Sequence, residues 1–181
     1  GRVFFRDEDN ERPREVEHVA GALTGLFHEA TWNASKKPVD FYLTKGIITF
    51  LLSALGITRG IRFEATAKHE EMHPGRTADI YLNDQLLGFV GEIHPNLAKE
   101  YKLKRTYVFE LDLEKIIAAP KDELVYQEIS KYPTITRDVA LAVPNEITNQ
   151  QILNSIWANG GHHLVDVRLF DYYQGEHITK G

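Results

Sequence analysis

The sequence predicts an α+β fold, and three observations support that prediction. Hydrophobic residues make up 43% and charged residues 26% of the 181 positions, which is the composition of an ordinary globular protein. Apolar residues recur at every fourth position from Leu43 to Leu55, as on one face of a helix. Residues 107–113 alternate between apolar and polar side chains, as in a half-buried strand.

The N-terminal third of the chain is predicted to contain two strands and one helix. A short apolar run at 3–5 is followed by a charged stretch at 6–15, which is predicted to be a solvated loop. The small, Gly-rich run at 19–26 is predicted to be a buried strand. The helix is predicted to begin after Asp40, a good N-cap, and to end at Gly56, which favours a helix C-terminus.

The middle of the chain is predicted to consist mainly of strands. Asn83-Asp84-Gln85 separates two strand-like stretches and predicts a hairpin with a short loop. The predicted elements are strands at 61–67, 77–82, 86–93 and 107–113 and short helices at 96–101 and 113–118.

A domain boundary is predicted where Ala119-Pro120-Lys121-Asp122 breaks the pattern. Beyond it, a strand at 137–143, a helix at 148–158 capped by Thr148 and a strand at 164–173 predict one β-α-β unit. Such a unit alone leaves sheet edges unpaired. We therefore interpret the chain as a fragment of a longer polypeptide.

Composition and charge exclude several classes of function. The chain has no cysteine, which excludes disulfides, thiolate metal sites and cysteine nucleophiles. Its longest apolar run, at 47–52, is far shorter than the ~20 residues needed to span a bilayer, so no membrane segment is predicted. With 21 basic and 26 acidic residues the net charge is −5, so any contact with nucleic acid has to come from local patches.

One segment matches a metal-site motif. His69-Glu70-Glu71-Met72-His73 fits H-E-x-x-H, in which two histidines on one helix face bind zinc and the glutamate activates water. Pro74-Gly75 follows directly and prevents a helix from continuing. We interpret the segment as a loop between strands without a metal. A metal-dependent hydrolase that uses His69, Glu70 and His73 is the alternative from a different functional class.

Two further patterns are less specific. Gly88-Phe89-Val90-Gly91 follows a hairpin arm and does not open a helix, which favours a close approach of sheets or of a partner chain over a dinucleotide site. Lys99, Lys102, Lys104 and Arg105 form a basic run that is able to contact phosphates, but in an acidic chain a solvated helix end is favoured.

Several stretches, read in order, carry a family resemblance. They are Gly1-Arg2-Val3-Phe4, Asp40-Phe41-Tyr42 with Lys45-Gly46, 73–80, 88–95, 108–113, Tyr132-Pro133 and 137–140. Their order and spacing resemble the C-terminal part of the β subunit of bacterial phenylalanyl-tRNA synthetase, over nearly the whole chain. The chain departs from the family pattern at Leu43, where an acidic residue is frequent, and it lacks the second half of the last module.

The resemblance implies a fold for each part of the chain. It implies a class II aminoacyl-tRNA synthetase-like domain, an antiparallel sheet with flanking helices, over residues 1–119. A linker at 120–127 and the first half of a ferredoxin-like anticodon-binding domain at 128–181 are implied to follow. In this family the α subunit carries the active site, so the resemblance implies no catalytic residue and no metal in this chain.

The resemblance also implies a role and partners. The role is a structural and tRNA-contacting one in attaching phenylalanine to tRNA. ATP and magnesium are used by the whole enzyme, and no cofactor is held by this fragment. The implied partners are the α subunit, in an α2β2 heterotetramer, and tRNA, and the implied compartment is the cytoplasm. The second alternative is a stand-alone class II synthetase-like enzyme that forms the aminoacyl-adenylate by itself.

Lys131, Tyr132 and Arg137 are the candidates for tRNA contact, because the resemblance implies that the ferredoxin-like module grips the anticodon region. Lysine and arginine neutralise phosphates, and a tyrosine ring stacks on an unpaired base. Two other interpretations stay open, in which Tyr132 only shapes a strand entry and Arg137 pairs with a carboxylate such as Asp138. With 4 basic and 6 acidic side chains at 128–181, we expect tRNA affinity near the non-specific level of about 10⁻⁴–10⁻⁶ M.

Overall fold

The chain divides into two units, unit 1 (Gly1–Tyr126) and unit 2 (Gln127–Gly181), and each is described by itself. Residues 7–11 of the predicted charged loop, residues 174–181 of the predicted last module and five positions between 124 and 130 lie outside the described residues. The computed structural model describes residues 1–6, 12–123, 126, 128 and 131–173.

The strands of unit 1 form one large antiparallel sheet and one small sheet. Their bounds are β1 (Arg2–Phe5), β2 (Arg14–Thr24), β3 (Leu26–His28), β4 (Lys37–Pro38), β5 (Ile61–Ala65), β6 (Met72–Leu82), β7 (Gln85–Ile93) and β8 (Thr106–Asp112). The large sheet has six strands in the order β1-β2-β8-β7-β6-β5, and every neighbouring pair is antiparallel. β3 and β4 form the two-stranded sheet. The predicted α+β class is confirmed.

The helices in the described residues are few and short. They are α1 (Phe41–Ala54), α2 (Pro95–Glu100), α3 (Leu113–Ala118) and α4 (Asn149–Asn159). Across the described ranges, none of these helices has the length and apolar character required to cross a membrane.

β2 is longer than the sequence predicts. Arg14 and Glu15 belong to the stretch predicted to be a loop, but they pair with β1. Arg2 Nη1 lies 2.7 Å from Glu15 Oε1, so the charged side chains of this strand remain exposed and paired across the ladder. Gly25 has a φ of +79° and follows the end of the strand, which is why the predicted run at 19–26 stops at Thr24.

β6 also begins earlier than predicted, so the prediction of a loop is wrong for Met72 and His73. Met72 pairs with Ile93, and the register then shifts between Met72 and Thr77. The hydroxyl of Thr77 donates to the carbonyl oxygen of His73 at 2.7 Å. Pro74 is accommodated because this irregular part of the strand interrupts the ladder.

α1 follows the sequence prediction closely. The Asp40 carboxylate accepts a hydrogen bond from the Leu43 amide at 2.7 Å, which caps the first turn. The buried side chains Thr44, Ile48 and Leu52 lie four residues apart, so they occupy one face of the helix. That face packs against β7 and β8.

α3 begins at the predicted residue, Leu113, and the segment after it is still part of unit 1. The Asp122 carboxylate accepts a hydrogen bond from the Thr58 amide at 2.9 Å and another from the Thr58 hydroxyl. These hydrogen bonds lower the pKa of the Asp122 carboxyl. The segment that follows α3 is therefore attached to the turn between α1 and β5.

The hydrophobic core of unit 1 lies between one face of the large sheet and the helices α1 and α3. Burying a large aliphatic side chain of this kind stabilises a fold by about 1.5–3 kcal/mol. The core consists of Ile48, Leu52, Ile57, Ala78, Ile80, Leu82, Leu87, Val90, Phe109, Leu111 and Ile116.

Two glycines allow the central strands to approach closely. A β-carbon at Gly88 would collide with the carbonyl oxygen of Glu110 on β8. A β-carbon at Gly91 would meet the side chain of Thr77 on β6. The interpretation of these glycines as close-packing positions is confirmed.

Unit 2 contains α4 and, among its described residues, no strand. α4 follows the prediction, since Thr148 and Gln151 form a reciprocal capping box at its first turn. The predicted strands at 137–143 and 164–173 are wrong, because neither forms a hydrogen-bonded ladder. Alternation of apolar residues favours a strand, but a strand also needs a paired neighbour.

Candidate functional site

The three residues predicted to contact tRNA lie in one irregular segment of unit 2. Lys131 and Tyr132 occupy a bend, and Arg137 follows in a stretch without helix or strand. All three residues are exposed, and the Tyr132 side chain is 82% exposed. The segment thus presents two cations and one aromatic ring to solvent, although no regular element holds them.

Apolar side chains flank these residues and are also exposed. Ile135, Val139 and Leu141 all have more than half of their surface exposed. None of the described side chains of unit 2 is buried. The segment therefore has the composition of a strand without the packing of one.

His69, from the segment that matches the metal-site motif, is part of a different arrangement. Its Nε2 lies 2.8 Å from Oδ1 of Asp79, which is buried on β6. Its ring stacks on the ring of Phe89 on β7, with centroids 4.5 Å apart. His69 thereby covers a buried carboxylate on the sheet.

His73 has a partner of its own. Its Nδ1 accepts a hydrogen bond from the Gly75 amide at 3.0 Å. The two histidines are not on a helix, and the described residues contain no group of three histidine or carboxylate side chains arranged to hold a metal ion. The geometry therefore gives the hydrolase alternative no support.

Glu92 is the centre of a cluster that the sequence analysis missed. Its side chain is only 8% exposed, and Arg76 Nη1 lies 2.8 Å from its Oε2. Arg105 Nε lies 3.4 Å from its Oε1, and the hydroxyl of Tyr107 donates to Oε2 at 3.1 Å. A buried carboxylate is costly unless it is paired in this way. The cluster connects residues of β6, β7 and β8 at one end of the sheet.

Tyr107 is buried in this cluster, and its pKa is raised. Burial is the largest cause, because it disfavours the phenolate. The hydrogen bond to the Glu92 carboxylate and the negative charge of that group add to the effect. The hydroxyl therefore serves as a donor to Glu92 at neutral pH.

A second histidine and carboxylate meet across the sheet. Nδ1 of His18 on β2 lies 2.6 Å from Oε1 of Glu110 on β8. Glu110 also pairs with Phe89 in the register of β7 and β8, and Phe89 pairs with Asp79 on β6. The carboxylate residues of the two pairs, Asp79 and Glu110, therefore lie in one row across the strands, whereas His18 is opposite Asp112.

The clusters around Glu92 and Glu110 were missed because their members are distant in the sequence. His18 and Glu110 are separated by 92 residues. The sequence feature that pointed towards the Glu92 cluster was the hairpin at residues 83–85, because it predicts that β6 pairs with β7. Side chains alternate along β7, which places Glu92 on the same face as the core residue Val90. A charged residue at such a position indicates a buried partner.

Two family models match the chain. The first, described as the phenylalanyl tRNA synthetase beta chain CLM domain, matches residues 1–113. The second, described as a ferredoxin-fold anticodon binding domain, matches residues 130–181. The first match covers the residues of the large sheet, and the second covers nearly all of unit 2.

The curated relatives agree with both matches. A phenylalanine–tRNA ligase beta subunit of Lactiplantibacillus plantarum is 51% identical over the whole chain, and one of Bacillus licheniformis is 49% identical. One of Bacillus subtilis is 46% identical, again over the whole chain. The chain spans 22% of the length of each of these relatives. It belongs to the family of phenylalanyl-tRNA synthetase beta chains.

Proposed function

We propose that this chain is a non-catalytic, structural and tRNA-contacting part of a phenylalanine–tRNA ligase. The observation that carries the proposal is the order of the two family matches, a beta-chain domain at 1–113 followed by an anticodon-binding domain at 130–181. Relatives that align with every residue of the chain are named as beta subunits of that ligase. The role is to support the attachment of phenylalanine to tRNA in translation, in the cytoplasm.

The proposal assigns a fold to each part of the chain. Residues 1–119 form a class II synthetase-like domain, residues 120–127 a linker, and residues 128–181 a ferredoxin-like anticodon-binding module. The six-stranded antiparallel sheet with helices packed on one face supports the first assignment. The match of the anticodon-binding model supports the last.

The proposed partners are tRNA and the α subunit of the ligase, in an α2β2 heterotetramer. The name "beta subunit" in the relatives supports the existence of a second kind of subunit. The match to an anticodon-binding domain supports tRNA as the nucleic acid. Lys131, Tyr132 and Arg137 are the proposed contact residues, because all three are exposed in the segment of that match.

ATP and magnesium are assigned to the whole enzyme and not to this chain. A site for them needs arginines that are directed at phosphates and carboxylates that converge on the metal. Among the described residues, no group of three histidine or carboxylate side chains is arranged to hold a metal ion. The described residues therefore supply no such set of converging carboxylates, and ATP and magnesium stay assigned to the whole enzyme.

The first test is ATP–pyrophosphate exchange with phenylalanine. The chain alone is expected to give no exchange above background, while a complete phenylalanine–tRNA ligase from a relative gives a strong signal under the same conditions. Exchange by the chain alone would contradict the proposal and favour the stand-alone enzyme.

The second test is zinc binding, which addresses the hydrolase alternative. Equilibrium dialysis is expected to show no stoichiometric zinc. If one zinc ion binds and is lost in both His69→Ala and His73→Ala, the hydrolase alternative replaces the proposal.

The third test is titration of labelled tRNA against the proposed contact residues. Lys131→Gln with Arg137→Gln is expected to weaken binding and to reduce its salt dependence, because each cation releases about one counterion. Tyr132→Ala is expected to weaken binding about 5–150-fold, the equivalent of about 1–3 kcal/mol of stacking, whereas Tyr132→Phe retains it. Equal affinity of all these variants and the original chain would remove the three residues from the proposal.

A further inference from the structure

The turn between α2 and β8 concentrates positive charge in an acidic chain. We call residues 99–105 the lysine turn; its sequence is Lys-Glu-Tyr-Lys-Leu-Lys-Arg. Four basic side chains against one acidic give it a charge of +3, while the whole chain carries −5. A local concentration of positive charge of this kind attracts a polyanion electrostatically.

The backbone of the lysine turn is fixed by hydrogen bonds. The Leu103 amide donates to the Ala98 carbonyl at 2.8 Å, and the Lys102 amide donates to the Lys99 carbonyl at 3.2 Å. The hydroxyl of Thr106 donates to the Lys104 carbonyl at 2.9 Å. The lysine side chains are therefore presented from a defined backbone.

Lys102 occupies a backbone position that favours glycine. Its φ is +54°, in the left-handed region, directly after the C-cap residue of α2. Glycine adopts this conformation without the steric cost that a β-carbon brings. Local structure thus explains the turn but does not explain a lysine at this position.

The lysines of the turn have no ion-pair partner among the described residues. Lys99, Lys102 and Lys104 are all exposed and make no salt bridge within that part of the chain. Lys99 lies in the last turn of α2, where a cation also complements the helix dipole. Lys102 and Lys104 have no such structural reason.

Two arginines and an aromatic ring adjoin these lysines. Arg105 and Arg76 each place one nitrogen near the buried Glu92, and their side chains remain 62% and 44% exposed. Their other N–H groups are available for bidentate contact with phosphate. Tyr101, within the turn, is 65% exposed and offers a ring on which a base can stack.

We propose that the lysine turn, together with Arg76, is a second RNA-contacting surface, which lies on unit 1 and binds the sugar–phosphate backbone of tRNA. The proposal rests on the proposed function, which makes tRNA the polyanion that this chain meets. It adds a contact outside the segment matched by the anticodon-binding model. Lysines supply the charge and Tyr101 the stacking platform.

The main experiment is titration of labelled tRNA against the full chain at several salt concentrations. Lys102→Gln with Lys104→Gln is expected to lower the slope of log affinity against log salt by about 1.4–1.8, which corresponds to two lost phosphate contacts. The matched control is Lys36→Gln with Lys37→Gln, which removes the same charge from another exposed lysine pair. If both double variants change the slope equally, the proposal is overturned, because only net charge would matter.

A single substitution separates binding from folding. Lys102→Gly is expected to raise the melting temperature, because glycine relieves the left-handed backbone, and to weaken tRNA binding in the same sample. A variant with higher melting temperature and unchanged tRNA affinity would overturn the proposal.

Two further comparisons test which kind of polyanion binds and separate a failure of this inference from a failure of the proposed function. Poly-uridylate is expected to compete with tRNA, whereas poly-glutamate of equal charge concentration is not; equal competition would point to an acidic protein surface and overturn the RNA proposal. Loss of tRNA affinity in the Lys131→Gln, Arg137→Gln variant but not in the lysine-turn variant would overturn this inference and leave the proposed function standing.

Discussion

Glu92 joins three strands through one buried carboxylate, so its charge is expected to matter for stability. Glu92→Gln keeps the shape of the side chain but places an amide donor against the donors of Arg76, Arg105 and Tyr107. We expect the free energy of unfolding to fall by about 1.5–3 kcal/mol, the range for a hydrogen bond to a charged group. Urea denaturation followed by fluorescence measures this loss.

The matched control is Asp84→Asn, which also removes one carboxylate charge. The side chain of Asp84 is 99% exposed, and its only described contact is Arg62 at 3.4 Å. Solvent screens such a pair, so no measurable loss is expected. Equal losses in Glu92→Gln and Asp84→Asn would show that burial of Glu92 does not set its contribution.

Tyr107 predicts a loss of stability at alkaline pH. Its pKa is raised in the folded chain, so folding holds its proton more tightly than the unfolded chain does. The resulting contribution to the free energy of unfolding is present in full below the ordinary tyrosine pKa of about 10. It disappears as the pH rises through the pKa that Tyr107 has in the folded chain. Melting temperatures between pH 8 and pH 11.5 are expected to fall above about pH 10.

Tyr107→Phe removes the ionisable hydroxyl and isolates this effect. The variant is expected to be less stable at neutral pH, because Glu92 loses a donor, and to show a smaller alkaline decrease. Tyr42→Phe is the control, since Tyr42 is exposed. An unchanged alkaline decrease in Tyr107→Phe would mean that other groups cause it.

At the level of elements, the sequence predicts well where local signals are sufficient. α1 has its cap at Asp40 and its stop at Gly56, and α4 has its capping box at Thr148. β2 was predicted too short because its charged first half is stable only through pairing with β1. The stretch at 137–143 has the alternation of a strand but no ladder, since pairing depends on neighbours that periodicity does not report.

Replacement of Gly46 by alanine is expected to stabilise α1. A β-carbon at this position meets nothing within 4 Å, and the backbone is already helical. Gly46→Ala is expected to raise the free energy of unfolding by about 0.5–1 kcal/mol, because alanine loses less backbone entropy. Thermal denaturation followed by circular dichroism measures the change.

Gly88→Ala is the matched counterpart in β7 and has the opposite sign. The added methyl would collide with the carbonyl oxygen of Glu110, a backbone atom that cannot rotate away. Overpacking of this kind typically costs about 1–3 kcal/mol. If Gly88→Ala were as stable as Gly46→Ala, the close approach of β7 and β8 would be contradicted.

For the whole molecule, the distribution of buried side chains predicts the order of proteolysis. Unit 1 contains the hydrophobic core, whereas the described residues of unit 2 contain no buried side chain. Trypsin is expected to cleave first after Lys131 or Arg137 and to leave a resistant product that contains the hydrophobic core of unit 1. Mass spectrometry of the early products identifies the sites. Early cleavage after Arg62 or Arg76, which lie in paired strands, would contradict this order.

The candidate tRNA-contacting residues and the Glu92 cluster differ in how far the sequence predicts them, because the former are exposed and the latter is buried. Lys131, Tyr132 and Arg137 were selected by resemblance and are exposed, but their contact with tRNA stays a prediction. The Glu92 cluster depends on strand register, which assembles residues from β6, β7 and β8. Sequence motifs locate exposed, consecutive residues more easily than contacts that only a folded sheet creates.

The two edge strands of the large sheet, β1 and β5, differ in how readily an additional strand is able to pair with them. β5 carries Arg62 and Glu64, whose charges discourage pairing with another chain at that edge. β1 carries one charged side chain, Arg2, beside Phe4 and Phe5, which are both exposed, and no described strand pairs with its outer side. Among the described strands, the addition of a further strand to the sheet is therefore favoured at the edge of β1 and disfavoured at the edge of β5.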